Sequence, residues 1–498
     1  MNVNPITRLD YPDPDVIRVE DTYYMVSTTM HFMPGCEILQ SFDLVHWEHV
    51  TYVYETLDHT DAQQLKSGQN IYGQGMWAAS LRYHEGRFYI CFVANDTRKT
   101  YLYTSEKIDG PWKKQLIEGF YHDGSLLFDE DGRNYIVYGN DEIWITELNE
   151  DLTAPKKDGL HRLLVSDHKN PELGYEGSHI QKINGYYYIF LVHSLRDRWM
   201  RTEACFYSDS LEGEFTGGDV LCDDRGYCGQ GVAQGGIVDT PDGKWYAMLF
   251  QDSGAVGRIP ILLPVTWKDH FPVFGQNGHV QEEIEVHSTR PGYIYQPLVG
   301  SDDFCNGLLP RWQFNHDPDP RYYHLDALQG TYTITTREVC TELTQAVNTL
   351  TQRMSYPSCA AEVTVDASAL KEGDVAGLCA LQGCYAAVGI TKHHGKYEVL
   401  MLDKKEDGIL DMTEGTVVES HQMDFRLEAD FCNMKDEARC YYRVNKGDWL
   451  PIGTVHKLYF KLDHFTGCRF GLFCYAAEET GGSACFRDFK YYDVDEIS

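Results

Sequence analysis

Among 75 Asp and Glu residues, three sit where the neighbouring chain is apolar or conformationally fixed. Asp13 lies in YPDPDVIRV, clamped by Pro12 and Pro14 just ahead of a Val/Ile strand. Asp123 lies in FYHDGSLLFDEDG, at the head of the apolar stretch SLLFD. Glu176 lies in LGYEGSHIQKINGYYY, beside Gly177 and ahead of another strand. Solvated turns are the plain alternative for each. Brought together, they would supply a carboxylic acid to protonate a leaving oxygen and a carboxylate to activate water. That is the acid/base arrangement of glycoside cleavage.

The elements that must position them repeat along the chain. Turn residues lead into an aromatic pair and a short apolar strand in EDTYYMVST, HEGRFYICFV, EDGRNYIVYG, INGYYYIFLV and PDGKWYAMLF. The second aromatics are Tyr24, Tyr89, Tyr135, Tyr188 and Tyr246, spaced by 65, 46, 53 and 58 residues. Five units of about four strands each predict a five-bladed β-propeller, with a large sandwich or β-helix as the alternative. The three carboxylates fall one strand upstream of the marker in units one, three and four, and a toroid would converge such matching positions on its axis. The segment HSTRPGYIYQPLVG breaks the pattern. It divides an all-β chain into a propeller over 1–292 and a β-sandwich of jelly-roll, concanavalin-like type over 301–498. LTQAVNTLTQRM, near Leu343, fits helix or strand.

Composition narrows the partners. A net charge of −32 argues against nucleic-acid phosphates and anionic membrane surfaces. No basic stretch followed by an apolar one opens the chain, and no apolar run is long enough to span a bilayer. The 15 Cys are odd in number, contain no CxxC pair and fall largely in apolar runs. They read as reduced, buried thiols, so a cytoplasmic location is expected. Oligomeric state is not fixed by the sequence, and a homo-oligomer stays open.

The ordered motifs PDPDVIRVEDTYYMVST, SFDLVHW, GMWAASLRYHEGRFY, HDGSLLFDEDG, YEGSHIQKINGYYYI and LLPVTWKDHFPVFG resemble glycoside hydrolase family 43. This is the family of five-bladed β-xylosidases and α-L-arabinofuranosidases. The tail resembles its accessory sandwich through GDVAGLCAL, FTGCRFGLF and GGSACFRDFKYYD. The resemblance implies Asp13 as general base, Glu176 as general acid, and Asp123 as the residue that orients the acid and tunes its pKa. It implies single-step inversion, exo-action, and xylo- or arabino-oligosaccharide substrates. A non-catalytic sugar-binding propeller and an endo-acting arabinanase are the competing readings. For inversion, base and acid stand roughly 6.5–9.5 Å apart.

The same resemblance places Arg258 of GAVGRIP on the sugar. Trp77 and Phe32 are candidate walls of the pocket, His179 a neighbour of the acid if the chain turns there, and Phe465 a plug supplied by the sandwich. His31 and His122 are further neighbours without a decisive role. Gly124 stands where the family often has Pro. Gln234 stands where many members have a His that holds a hydrated axial calcium, which puts that metal in doubt. The chemistry itself requires no cofactor. A structural calcium shared by Asp303 and Asp488 is expected from their placement near the two ends of the second domain.

Overall fold

The structure, a computed structural model, describes residues 2–493. Five four-stranded antiparallel sheets follow one another along the chain as blades 1 to 5. Their innermost strands are Asp15–Val19, Met76–His84, Ser125–Phe128, Glu176–Ile183 and Val232–Asp239. The repeated tyrosines all lie on the second strand of a blade. They face Ile17, Arg82, Leu127, Gln181 and Val238 of the innermost strands.

That register defines an equivalence. Four residues before each facing partner stand Asp13, Ala78, Asp123, Gly177 and Gln234, with φ of 52, 30, 49, 67 and 62°. Every blade thus enters the axis through a left-handed residue, a conformation uncommon outside glycine. In blades 2, 4 and 5 the device is a β-bulge. Trp77 pairs with Val93 but Ser80 with Cys91, Glu176 with Val192 but His179 with Phe190, and Ala233 with Phe250 but Gly236 with Met248. One residue earlier runs a second ring: Pro12, Trp77, His122, Glu176 and Ala233. Glu176 therefore does not match Asp13 and Asp123 in position. It is offset by one residue, and Gly177 is their counterpart.

Among the described residues no strand is exchanged between the first and last blades. Asn2–Val3 pairs with Glu283–Ile284, and the Asn4 amide donates to the Leu262 and Gln281 carbonyls at 2.7 and 2.8 Å. Between blades the apolar rows interleave. Ile90, Tyr101, Ile136, Ile189 and Leu249 are fully buried, each large apolar side chain stabilising the fold by about 1.5–3 kcal/mol.

The chain then crosses blade 1, where the Gln296 amide donates to Glu48 Oε2 at 2.9 Å. It enters a sandwich of one eight-stranded and one seven-stranded sheet around a core that includes Trp312, Phe425, Phe470 and Phe486. The ambiguous stretch resolves into a single 3-10 turn, Leu343–Gln345, followed by the strand Leu350–Arg353. The two domains join through backbone. Met33 and Phe314 exchange hydrogen bonds of 3.0 and 2.6 Å, and Arg353 pairs with the buried Glu37 at 2.8 Å.

Candidate active site

The mouth of the propeller that faces the sandwich gathers the three carboxylates. Asp13 is 4% exposed. Its Oδ1 accepts from Arg258 Nη1 at 2.6 Å and its Oδ2 from the Thr28 hydroxyl at 2.5 Å. Asp123 accepts the Gly177 N–H at 2.9 Å, so the residue beside Glu176 holds the carboxylate of the preceding blade. Glu176 Oε2 accepts from the Asn140 amide at 2.8 Å and stands 3.7 Å from His122 Nε2. His122 Nε2 is also 3.6 Å from Asp123 Oδ2. One ring nitrogen and two carboxylates lie within 4.8 Å of one another.

This cluster shares its protons. Burial pushes Asp123 up to about 6; the His122 charge opposes that shift, while Glu176 and Asp13 add to it. Burial also raises Glu176, but His122, Arg201 and Arg258 outweigh it and hold the carboxyl below its ordinary range. The Asp123 charge, helped by Glu176 and Asp13, lifts His122 to about 9 against burial. His122, Asp123 and Glu176 therefore titrate as one coupled unit.

A buried charge ladder backs the base. Arg258 Nε donates to Asp252 Oδ1 at 3.2 Å, and Asp252 Oδ2 accepts from Arg201 Nε at 3.0 Å. Arg258 is thus tied to the base as well as placed at the pocket. The sandwich completes the wall. The Phe465 ring lies 3.9 Å from the Arg258 guanidinium carbon and 5.1 Å, edge-on, from Trp77. Its loop sits close because Gly467 passes Val256 with no room for a side chain. A Cβ there would meet the Val256 carbonyl at 2.0 Å. Trp77 also presents an edge to His122, with centroids 6.4 Å apart.

Other expected residues go elsewhere. His179 sits on a bulged strand, not in a turn, and its Nδ1 is 3.1 Å from the buried Asp15. It supports the axis from beneath. Phe32 is 1% exposed, stacks on His31 and carries the Arg469 guanidinium at 3.4 Å. Its described ring partner is His31, not Trp77 or Phe465. His31 faces Asn315 of the sandwich at 3.2 Å. Asp303 and Asp488 lie exposed on chains joined by the Asp302–Phe489 bridge. They offer two of the six to eight oxygens calcium takes, the rest falling to backbone and water.

Gln234 lines a narrow axial cavity of about 10 Å³ with Asp15, Ser80, Ser178 and His179. Its Oε1 and the Ser178 hydroxyl are buried without protein partners. The space suits roughly one water. That space leaves no room for a hydrated calcium.

Thr28, Asn140, Arg201 and Asp252 contact these groups without having been singled out in the sequence, where His122 was named only as a neighbour without a decisive role. Counting back from the tyrosine markers does not align His122 with Trp77 and Glu176; only the facing partners of each hairpin, Leu127, Arg82 and Gln181, do.

A beta-xylosidase of Formosa agariphila is 27% identical, over 99% of this chain and 89% of its own length. A non-reducing end alpha-L-arabinofuranosidase of Bacteroides ovatus is 26% identical, over 66% of this chain and 63% of its own. A solved structure described as a bifunctional GH43-CE protein of Bacteroides eggerthii superposes with a TM-score of 0.91 at 42% identity. It covers 100% of this chain, which spans 64% of that longer one. The beta xylosidase C-terminal concanavalin A-like domain matches residues 301–492. Residues 3–272 match glycosyl hydrolases family 43, and the chain belongs to that family of glycoside hydrolases.

Proposed function

We propose that this glycoside hydrolase removes one terminal xylose or L-arabinose unit from short xylo- or arabino-oligosaccharides, with inversion. The observation that carries this reading is Phe465. A ring from the second domain lies over Arg258 and against Trp77, beside the carboxylates, and such a wall supports a short pocket over an open groove. Relatives named as a beta-xylosidase and as an alpha-L-arabinofuranosidase support both sugars as candidates.

In this mechanism Asp13, oriented by Arg258 and Thr28, takes a proton from the attacking water. Glu176 protonates the leaving oxygen, and Asp123 holds the proton balance of the acid. The aromatic walls and Arg258 bind a neutral sugar by stacking and directed hydrogen bonds. All 15 cysteines are free, which supports a reducing, cytoplasmic setting in which imported oligosaccharides are the substrate. A calcium shared by Asp303 and Asp488 would be structural only.

The test is hydrolysis of aryl β-D-xyloside, aryl α-L-arabinofuranoside and the matching oligosaccharides. Monosaccharide released from one end is expected. Absence of turnover on all of them, with folded protein, would sink the reading. Viscosity loss on linear arabinan would favour an endo-acting arabinanase instead.

A further inference from the structure

The ring that places Glu176 also places His122. Both stand one residue before the left-handed position of adjacent blades, so their side chains converge from neighbouring innermost strands. His122 Nε2 is nearly equidistant from Asp123 Oδ2 and Glu176 Oε2, at 3.6 and 3.7 Å. That nitrogen is buried and has no hydrogen-bond partner within the protein. A closure of a few tenths of an ångström would complete a bond to either carboxylate. On the far side, Asn140 fixes Glu176 Oε2 at 2.8 Å. The ring's other face meets Trp77, and part of the side chain stays open to solvent.

We propose that His122 is the positioning residue of the acid step: it holds the proton in the free enzyme and passes it to Glu176 as the leaving oxygen arrives. The inference rests on the glycosidase reading above and deepens it. Protons balance through the cycle. Glu176 receives the proton of His122 Nε2 and gives it to the leaving oxygen as the glycosidic C–O bond breaks. Asp13 takes one from the attacking water as the new C–O bond forms. Solvent then removes the proton from Asp13 and returns one to His122.

The charged groups facing the imidazole come from four blades. Asp123 belongs to its own blade, Glu176 and Arg201 to blade 4, and Asp13 to blade 1, with Arg258 of blade 5 behind Asp13. The sandwich contributes Phe465, through Trp77. Carboxylates dominate this balance, which is why the ring keeps its proton well into the alkaline range, up to about 9. The ring titrates with the two carboxylates as one unit. Without it, the last proton of the unit must reside on the Asp123–Glu176 pair and leaves at lower pH.

The test compares wild type, His122→Gln and His122→Phe across pH. One substrate is a disaccharide whose leaving group needs protonation; the other is a dinitrophenyl glycoside whose leaving group does not. The alkaline limb of kcat/KM for the disaccharide is expected to fall by roughly one pH unit or more in both variants. The disaccharide rate should drop about tenfold or more while the dinitrophenyl rate stays within about threefold. An unmoved limb, or equal losses on both substrates, overturns the role of His122 alone. No turnover by the wild type overturns the glycosidase reading and this inference together. If the variants do not fold, the His122 ring is titrated by NMR in wild type and in Glu176→Gln. Titration above the ordinary 6.5, lowered when the Glu176 charge is removed, supports the proposal; an ordinary value overturns it.

Discussion

Arg258 reaches Asp13 across 2.6 Å while its Nε holds Asp252 at 3.2 Å. One guanidinium thus fixes the base from behind and, through its face, carries Phe465 of the other domain. In the proposed reaction, binding of the sugar, orientation of the base and closure of the pocket meet in that single side chain.

Arg258→Ala should therefore lower kcat/KM roughly 100-fold or more, because misplacement of a reacting group by about 1 Å costs that much. Arg258→Lys should recover little of it, since a point charge cannot bridge Asp13 and Asp252 as a planar fork does. Steady-state kinetics on the aryl glycoside checks both. Full recovery by Lys would show that charge alone matters.

Phe465→Ala removes the wall supplied by the sandwich. KM for the disaccharide should rise about 5- to 30-fold, the loss of roughly 1–2 kcal/mol of aromatic and cation–π contact. Fold should be retained, because Phe465 lies at the domain contact and outside the main core of either domain. Product analysis should show fragments longer than one sugar appearing. An unchanged KM would place the wall elsewhere.

Asp123 is a buried carboxyl raised from 3.8 to about 6. Its folded form binds protons more tightly than the unfolded chain, so its contribution is most favourable below about 3.8 and is lost as pH rises through about 6. Asp123→Asn should raise stability at pH 7.5 by something on the order of 1–3 kcal/mol, and the gain should vanish near pH 4. Activity on substrates with poor leaving groups should fall. Thermal melts at the two pH values decide it: a gain of equal size at both would contradict the assigned burial.

Gly177→Ala strains the axis. The residue has φ of 67°, and a Cβ would meet Gln234 Cγ at 2.7 Å. A loss of roughly 1–3 kcal/mol is expected, with a fall in kcat because the same residue holds Asp123 and adjoins Glu176. A variant with unchanged melting temperature and rate would show the ring to be softer than its geometry implies.

Glu176→Ala should spare aryl glycosides with good leaving groups and depress disaccharide hydrolysis by about 10²- to 10⁴-fold, the usual worth of general acid catalysis. Equal losses would remove Glu176 from that role.

Much of this was legible before any coordinates. Turn-plus-aromatic units announce the blades because each second strand packs its tyrosine on an apolar cluster, buried in blades 3 to 5 and half-buried in blades 1 and 2. Asp13 was visible because two prolines bracket it. What escaped was lateral. Asp252 and Arg201 lie in ordinary strand sequence, and only closure of the ring sets them beside Arg258. The match of Glu176 with Asp123 erred by one residue because the hairpin of blade 3, Leu127 facing Tyr135, is one residue longer than that of blade 4, Gln181 facing Tyr188. His179 went to Asp15 because its strand is bulged and not turned. Phe32 was drawn inward by Arg469, a partner more than 400 positions away in the chain.

The central claim is a single displacement with Asp13 as base and Glu176 as acid. It is tested most directly by proton NMR of the first sugar released from whichever aryl glycoside turns over. The account predicts a first-formed anomer opposite in configuration to the substrate, followed by slow mutarotation. A first-formed anomer of the same configuration would mean a covalent intermediate and contradict these roles.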